Sequence, residues 1–279
     1  MLLPALVLFA GFILLPVILT IVGSLFSFGI TSPTWSFAGL DNYLTAINDP
    51  VFWLSLRNNL IIVFGSIVTQ IGFGTLLAAI LDRGIRRGST LFRTLIFAPM
   101  VISSVAVGLI WLMILDPNIG PLTRIVKSIG LKPPTLGWLG DPNLAIWMFL
   151  AVAMWQYTGF MMVLVLAGLQ GVPNEIYQAA ALDGARGIRA FWYITLPSIR
   201  NILIVAVLIT TIGAFKVFDL IYVTTGGGPA NATQVLGTYV YLQAFNLQNM
   251  GYANAIAVVL LAIAVVLGWL QLKASRRTQ

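Results

Sequence analysis

The side chains that could carry chemistry in this chain are few. None of its 279 residues is a histidine or a cysteine, which excludes thiol nucleophiles, disulfides, thiolate or imidazole metal sites and histidine acid–base catalysis. No GxxxxGK[ST] occurs, and the glycines at 226–228 before Pro229 lack the lysine of a phosphate-binding loop and are typical of a tight turn. We predict no catalytic residue, no metal and no cofactor bound by this chain.

One pair of ionisable side chains, Lys216 and Asp219, lies within a long apolar stretch. Residues three apart share one face of a helix, so we predict a salt bridge near the outer end of a membrane span, with a gate or a solute contact as the alternative. Ion-coupled carriers keep ionisable groups along their pathway, and their scarcity here argues against an ion-driven carrier.

The composition indicates an integral membrane protein. Hydrophobic residues make up 59% of the chain and charged residues 8%, against about 45–50% and about 25% in globular domains. The net charge of +7 comes from basic residues at the ends of apolar runs, not from a stripe suited to nucleic acid, so we expect membrane lipid and no nucleic acid as a partner.

Six apolar stretches are long enough to cross a bilayer, which takes about 20 residues each. We predict an all-α polytopic membrane protein with one domain over 1–279 and spans at 2–28, 60–81, 95–115, 144–169, 202–223 and 253–272. The outer loops contain two short helices, one opening at Asp41 and ending near Asp49 and Pro50, and an interfacial amphipathic one at 121–129 with apolar residues at i, i+3, i+4 and i+7.

The basic residues set the orientation. A cytoplasmic N-terminus places ten of them inside: Arg83, Arg86, Arg87, Arg93, Arg186, Arg189, Arg200, Lys273, Arg276 and Arg277. Four then lie outside: Arg57, Arg124, Lys127 and Lys132. The positive-inside rule therefore predicts that both termini are cytoplasmic.

The charged segment at 170–201, here called the elbow, is the largest inner loop of this topology. Pro173 suits the first helical position and Glu175 the positive end of a helix dipole, while Gly184 provides a stop before a second short helix. A plain connection between helices needs only about 2–8 residues. The elbow could be a capped surface loop, but its length favours a surface that a partner holds.

Three motifs along the chain together resemble one family. "EIYQAAALDGARGIRAFWYITLP" resembles the EAA loop of permease subunits of binding-protein-dependent ABC importers, whose pattern is E-A-A, three residues, G, then I-x-L-P. "GLDNYLTAINDPVFWLSLRNNL" is similar to the first outer loop of the carbohydrate branch. "FDLIYVTTGGGPANAT" is similar to the segment after the fifth span in first permeases of the maltose and glycerol-phosphate type.

The resemblance implies a type I ABC importer permease fold in which the elbow is a coupling helix docked on an ATPase subunit. The implied coupling residues are Glu175, Gln178, Ala179, Ala180, Asp183, Gly184, Arg186, Leu196 and Pro197. Gln178 stands where the motif has glutamate, so a hydrogen bond would replace an ion pair there, or Glu175 would substitute. The implied partners are a homologous second permease, two ATPases that bind ATP and Mg, and an extracytoplasmic solute-binding protein, at a prokaryotic inner membrane.

The resemblance also implies a solute pathway along the fourth and fifth spans. The matching residues are Trp155, Gln156, Tyr157, Phe160, Thr210, Gly213, Ala214 and Val217. Aromatic faces and hydrogen-bonding groups suit a sugar, although the same residues could simply pack helices. We therefore expect a non-enzymatic permease subunit for a sugar-like solute, with alternating access driven by partner ATPases. The alternatives are a self-sufficient channel or carrier, and a permease for an amino acid or an organic phosphate.

Overall fold

The computed structural model describes residues 3–31, 34–83 and 88–276; Arg86, Arg87 and Arg277 lie outside this part of the chain. It begins with helix α1 (Leu3–Gly23), which is apolar along its whole length. Two short strands follow and pair antiparallel, β1 (Phe26–Ser27) and β2 (Ser36–Phe37). The predicted span 2–28 therefore ends at Gly23, because the chain turns there into a hairpin.

The first half of the domain then alternates short and long helices. These are α2 (Asp41–Asn48), α3 (Pro50–Asp82), α4 (Ser89–Val101), α5 (Ser104–Ile114) and α6 (Pro121–Ser128). Helix α3 begins ten residues before the predicted start at 60, because the Asp49 carboxylate accepts from the Val51 N–H (2.8 Å) as an N-cap and Pro50 takes the first position.

The second half contains the remaining long helices and both loops of interest. These elements are α7 (Ala145–Gln170), α8 (Asn174–Leu182), α9 (Ile188–Ser198), α10 (Arg200–Phe215), α11 (Asp219–Thr224), α12 (Leu236–Tyr241) and α13 (Met250–Arg276). Among the described residues, α1, α3, α7 and α13 are each long and apolar enough to cross a membrane, and two bent pairs bring the total to as many as six.

The third predicted span, 95–115, is not one straight helix. Helices α4 and α5 meet at an angle of 98°. Pro99 lies in the last turn of α4, and Ile102 after it has extended backbone angles (φ −75°, ψ 136°). The Gln156 amide of α7 donates to the carbonyl oxygen that this break leaves free, that of Ile102 (3.2 Å). A tertiary hydrogen bond thus stabilises a bend that hydropathy does not show.

The fifth predicted span, 202–223, is also interrupted. Helix α10 ends at Phe215, and α11 starts only at Asp219. The carbonyl oxygen of Ala214, left without its helical partner, accepts from the amide of Asn59 in α3 (3.3 Å). At its other end α10 meets α9 at 72°.

Helix α7 is the centre of the packing. Small residues allow close approach: a Cβ at Gly159 would lie 2.1 Å from the Ile96 carbonyl oxygen, and one at Gly74 would lie 2.8 Å from the Cβ of Met161. Such contacts are typical of helix pairs within a bilayer, where backbone proximity replaces the hydrophobic effect between helices. The described part of the chain is therefore a helical membrane domain organised around α7.

Candidate functional site

A cavity of about 340 Å³ lies between α3, α7 and α10, beside the break after Phe215. Six of the residues predicted for a solute pathway line it: Tyr157, Phe160, Thr210, Gly213, Ala214 and Val217. Ser66, Gln70 and Ser104 line it as well and had no sequence signal of their own, since single polar residues in apolar helices more often serve packing. The cavity combines aromatic faces with hydroxyl and amide groups.

Two polar contacts fix the walls of this cavity. The Tyr157 hydroxyl lies 3.2 Å from the Ser104 hydroxyl, which joins α7 to the start of α5. The Thr210 hydroxyl donates to the sulfur of Met161 (3.8 Å), which joins α10 to α7. The side chains that could meet a solute are therefore held by neighbouring helices.

Trp155 and Gln156, also predicted for the pathway, do not line the cavity. Trp155 is 40% exposed and packs edge-to-face on Trp111 at a ring distance of 5.7 Å. Gln156 is 1% exposed, and its amide donates to Ile102 at the bend between α4 and α5. These two residues point away from the cavity because successive positions on a helix point in different directions, and their place on a solute pathway stays a prediction.

The predicted salt bridge between Lys216 and Asp219 is not formed. Both residues are described, both are exposed and both line the cavity, yet no contact between their charged groups lies within 4.0 Å. The prediction assumed one continuous helix, whereas Lys216 is the C-cap of α10 and Asp219 opens α11. The alternative of a solute contact or gate stays a prediction.

A second polar site holds the loop at 225–235, here called the glycine loop. The buried Asn58 amide donates to the carbonyl oxygens of Gln234 (2.9 Å) and Ala232 (3.1 Å). The adjacent Asn59 accepts from the Leu236 N–H (2.9 Å) while donating to Ala214. Two asparagines side by side in an apolar helix could have signalled this role from the sequence, since buried amides need partners.

Glycine is required within this loop. Gly227 has φ +94°, and a Cβ there would lie 1.5 Å from the side-chain oxygen of the buried Gln234. The Thr233 hydroxyl closes the loop by donating to the Gly228 carbonyl oxygen (2.6 Å). The glycine cluster is the tight turn that the sequence predicted, fixed by contacts within the chain.

The elbow has two short helices around a glycine turn. Helix α8 ends at Leu182, and Gly184 (φ +79°) and Gly187 (φ +55°) then lead into α9. The Tyr177 hydroxyl of α8 donates to the Thr195 hydroxyl of α9 (3.4 Å). These contacts give the elbow a defined shape.

Most of the predicted coupling residues are exposed on this elbow. They are Glu175, Gln178, Ala179, Asp183, Gly184, Arg186 and Pro197, whereas Leu196 is half-buried and Ala180 buried. Large apolar side chains are exposed beside them. Leu182 is 90% and Ile188 79% exposed, and Trp192 and Tyr193 are exposed as well.

Comparison with known proteins identifies the family to which the chain belongs. Residues 70–279 match the model of the "binding-protein-dependent transport system inner membrane component" family. The probable ABC transporter permease protein YurN of Bacillus subtilis is 42% identical over 98% of this chain and 93% of its own length. The trehalose/maltose transport system permease protein MalF of Thermococcus litoralis is 35% identical over 96% of this chain and 89% of its own.

Solved structures agree on the fold. The chain matches one from a bacterial ABC transporter that imports the acidic polysaccharide alginate, with a TM-score of 0.86 and 23% identity over 99% of this chain and 94% of that one. A chain of the MetNI methionine ABC transporter matches with a TM-score of 0.58 and 19% identity, over 85% of this chain and 98% of that one. Our chain is a multi-pass protein of the binding-protein-dependent transport system inner membrane component family, a permease subunit of ABC importers.

Proposed function

We propose that the imported solute is a sugar or a sugar-like molecule. The observation that carries this proposal is the lining of the cavity. The Tyr157 and Phe160 rings offer flat apolar faces, while Ser66, Gln70 and Thr210 offer hydrogen bonds. Sugars present both kinds of surface, C–H faces and hydroxyl groups, so this lining suits them.

The relatives support the same class of solute. They include permeases named for lactose, in Rhizobium radiobacter (33% identical), and for diacetylchitobiose, in Streptomyces coelicolor (35% identical). The solutes in these names differ from one relative to the next, so they support a class of solute and not one particular sugar.

We further propose that the elbow is where two ATPases act on this permease and its homologous partner. Four large apolar side chains of the elbow, Leu182, Ile188, Trp192 and Tyr193, are exposed, and a protein that covers them gains the burial energy. This chain lacks a P-loop, so ATP and Mg would be bound by those partners. Gln178 would offer them a hydrogen bond in place of a charge.

In the proposed assembly both termini are cytoplasmic and an external binding protein delivers the solute. Closure of the ATPases would move the elbow and bias the spans between inward-open and outward-open states. The breaks after Val101 and Phe215 lie beside the cavity and provide places where α5 and α11 can move relative to α4 and α10.

A second class of solute is supported by Lys216. Lys216 and Asp219 both line the cavity, and their charged groups form no salt bridge with each other. A solute with a carboxylate or a phosphate would supply a counter-charge. An acidic sugar or an organic phosphate is therefore the alternative cargo.

The test is solute uptake by the complete complex in proteoliposomes. We expect uptake of labelled maltose or lactose that requires both ATP and the binding protein, and that falls at least about tenfold in Phe160→Ala because a ring at the solute is lost. Trp147→Ala is the matched control, since Trp147 is an exposed aromatic residue of the same helix that does not line the cavity. ATP-independent flux through this chain alone would instead identify a channel or carrier.

A further inference from the structure

Helix α6 (Pro121–Ser128) buries a polar residue and exposes part of its apolar stripe, of which Leu122 and Val126 are half-buried. Its buried residue is Thr123, whose hydroxyl donates to the Asp116 carbonyl oxygen (2.9 Å) and accepts from the Trp138 indole N–H (2.9 Å). Ile125 is 58% exposed, and Ile129 just after the helix is 65% exposed. A helix on a water-soluble domain turns its apolar stripe inward, so this orientation needs another apolar phase outside the protein.

The turn before α6 keeps it next to the end of α5, the second helix of a bent apolar pair. The Asp116 carboxylate accepts from the N–H groups of Ile119 (2.9 Å) and Asn118 (2.8 Å), and these bonds hold the pKa of Asp116 below its ordinary value. The Gly120 N–H donates to the Asp116 carbonyl oxygen (3.1 Å). Residues 115–120 could span at most about 20 Å if extended, and this closed turn spans less, so α6 stays near the level where α5 ends.

Apolar surface is also exposed on α5 and on the turn that leads to α6. An open groove of about 630 Å³ along α5 and this turn reaches α6 at Pro121 and is lined mainly by apolar residues, with Asp116 as its one charged residue. Met113 and Ile119 on its walls are both strongly exposed. Exposed apolar side chains are therefore present on α5, on the turn and on α6.

The charge of the same segment is entirely positive. Arg124, Lys127 and Lys132 are exposed, and no acidic residue lies between 121 and 132. These are three of the four basic residues that the predicted topology places outside, where basic residues are depleted. Long basic side chains beside apolar surface lay their stems along it and hold the charge at the headgroup level.

We propose that residues 121–132 form a membrane-surface element that binds the phosphodiester headgroups of anionic phospholipids. Ile125 and Ile129 enter the boundary of the acyl chains, and Arg124, Lys127 and Lys132 meet the phosphates. Exposed isoleucines beside exposed basic side chains are typical of interfacial helices, which favours an anionic lipid surface over a soluble protein as the occupant. The inference depends on the membrane embedding of the chain and not on its solute or its ATPases.

The test uses the absence of cysteine from this chain. Single variants Ile125→Cys and Ile129→Cys, assembled into the whole complex in lipid nanodiscs, receive a fluorescent label, with the cysteine-free chain as background. Each basic group near an anionic surface strengthens its attraction about fivefold, so brominated phosphatidylglycerol should quench both labels at least about twofold more than brominated phosphatidylcholine. A label at Asn143→Cys, an exposed position after the helix, should show no such preference.

The charges are tested by a matched pair of variants. Replacing Arg124, Lys127 and Lys132 together by glutamine should remove the preference for the anionic lipid, whereas Arg57→Gln should leave it unchanged. Equal quenching by the two lipids, or little quenching by either, would overturn the proposal. Shielding of the labels by the binding protein, without any effect of lipid charge, would overturn it in favour of a protein-docking surface. Uptake measured on the same complexes reports the proposed function separately.

Discussion

The glycine loop and the elbow are both long connections between helices, and they show opposite kinds of surface. In the glycine loop, backbone groups bond to the buried Asn58 and the Thr233 hydroxyl closes the turn. In the elbow, Leu182 and Ile188 are exposed and contact little else of the chain. The first loop is stabilised by the chain itself, whereas the second leaves apolar side chains exposed, where we propose that a partner protein binds.

Damage to the glycine loop and damage to the elbow should therefore differ in their energetic cost. A buried polar group that loses its partner costs about 1–3 kcal/mol, so damage to the glycine loop should destabilise the chain alone. An exposed leucine or isoleucine stabilises nothing until it is covered, when it contributes roughly 1.5–3 kcal/mol. Damage to the elbow should therefore appear in assembly and not in folding.

The largest loss of stability is expected for Gly227→Ala. The new Cβ would lie 1.5 Å from the Gln234 side-chain oxygen at a φ of +94°, which combines a clash with backbone strain. Thermal unfolding of the chain in detergent should show a loss of about 3 kcal/mol or more. Gly226→Ala is the control, since φ there is +59° and a Cβ would lie 4.0 Å from the Tyr222 carbonyl oxygen; it should lose only about 1 kcal/mol. Equal losses would exclude the clash as the cause.

Asn59→Ala should come next. It leaves the Leu236 N–H and the Ala214 carbonyl without partners in a buried site, at a cost of about 1–3 kcal/mol. The same thermal measurement on Asn48→Ala, which removes an exposed asparagine from α2, should show a change below about 0.5 kcal/mol. A stable Asn59→Ala chain would show that the break after Phe215 does not need this amide.

A smaller, pH-dependent effect is expected at Asp49. Burial raises its pKa, but hydrogen bonds from the Tyr239 and Tyr252 hydroxyls and from the Val51 N–H outweigh this and lower it. Burial and the Asp49 hydrogen bond also raise the pKa of Tyr239, to about 12. Because the Asp49 pKa is lower in the folded chain, its contribution is present above the ordinary value of 3.8 and lost as the pH falls through the lowered pKa.

The measurement for Asp49 is the unfolding temperature between pH 6 and pH 3. We expect Asp49→Asn to be less stable than the parent at pH 6 and the difference to shrink toward pH 3, as the parent carboxylate is protonated. Asp41→Asn removes an exposed carboxylate and serves as the control, with a smaller loss at pH 6. A difference that is constant across this range would contradict an ionised, hydrogen-bonded Asp49.

The smallest effect on the isolated chain is expected for Leu182→Ser. Its side chain is 90% exposed, so the unfolding temperature should be unchanged within error. Recovery of an ATPase subunit with the chain should nevertheless fall about tenfold or more, because the side chain is lost from the covered surface. Leu247→Ser, another exposed leucine outside the elbow, should leave that recovery unchanged.

The sequence was sufficient to predict the long helices and insufficient to predict where the third and fifth spans break. Apolar run length places a span at 144–169, and the structure has Ala145–Gln170 there. The bend after Val101 depends on Gln156, and the end of α10 on Asn59, and both residues lie far away in sequence. Hydropathy cannot show such contacts, and the predicted pairing of Lys216 with Asp219 failed for that reason.

The candidate site could be predicted only in part, because the directions of its side chains also depend on contacts between helices. The motif match pointed to stretches of α7 and α10 that contribute six of the predicted residues to the cavity lining, but the directions of Trp155 and Gln156 depend on how α7 packs against α4 and α5. The glycine loop was recognised as a turn from its glycines alone. Its anchor at Asn58 joins residues more than 170 positions apart, which local patterns do not encode.

The most direct test of the contrast between the two loops is the reactivity of a single cysteine at position 182. In the chain alone, Leu182→Cys should react with a water-soluble maleimide as fast as Asn143→Cys. In the assembled complex, we predict that modification at 182 slows at least about tenfold while that at 143 is unchanged. Equal reactivity at 182 with and without the partner subunits would contradict the account, because the elbow would then be a bare surface loop.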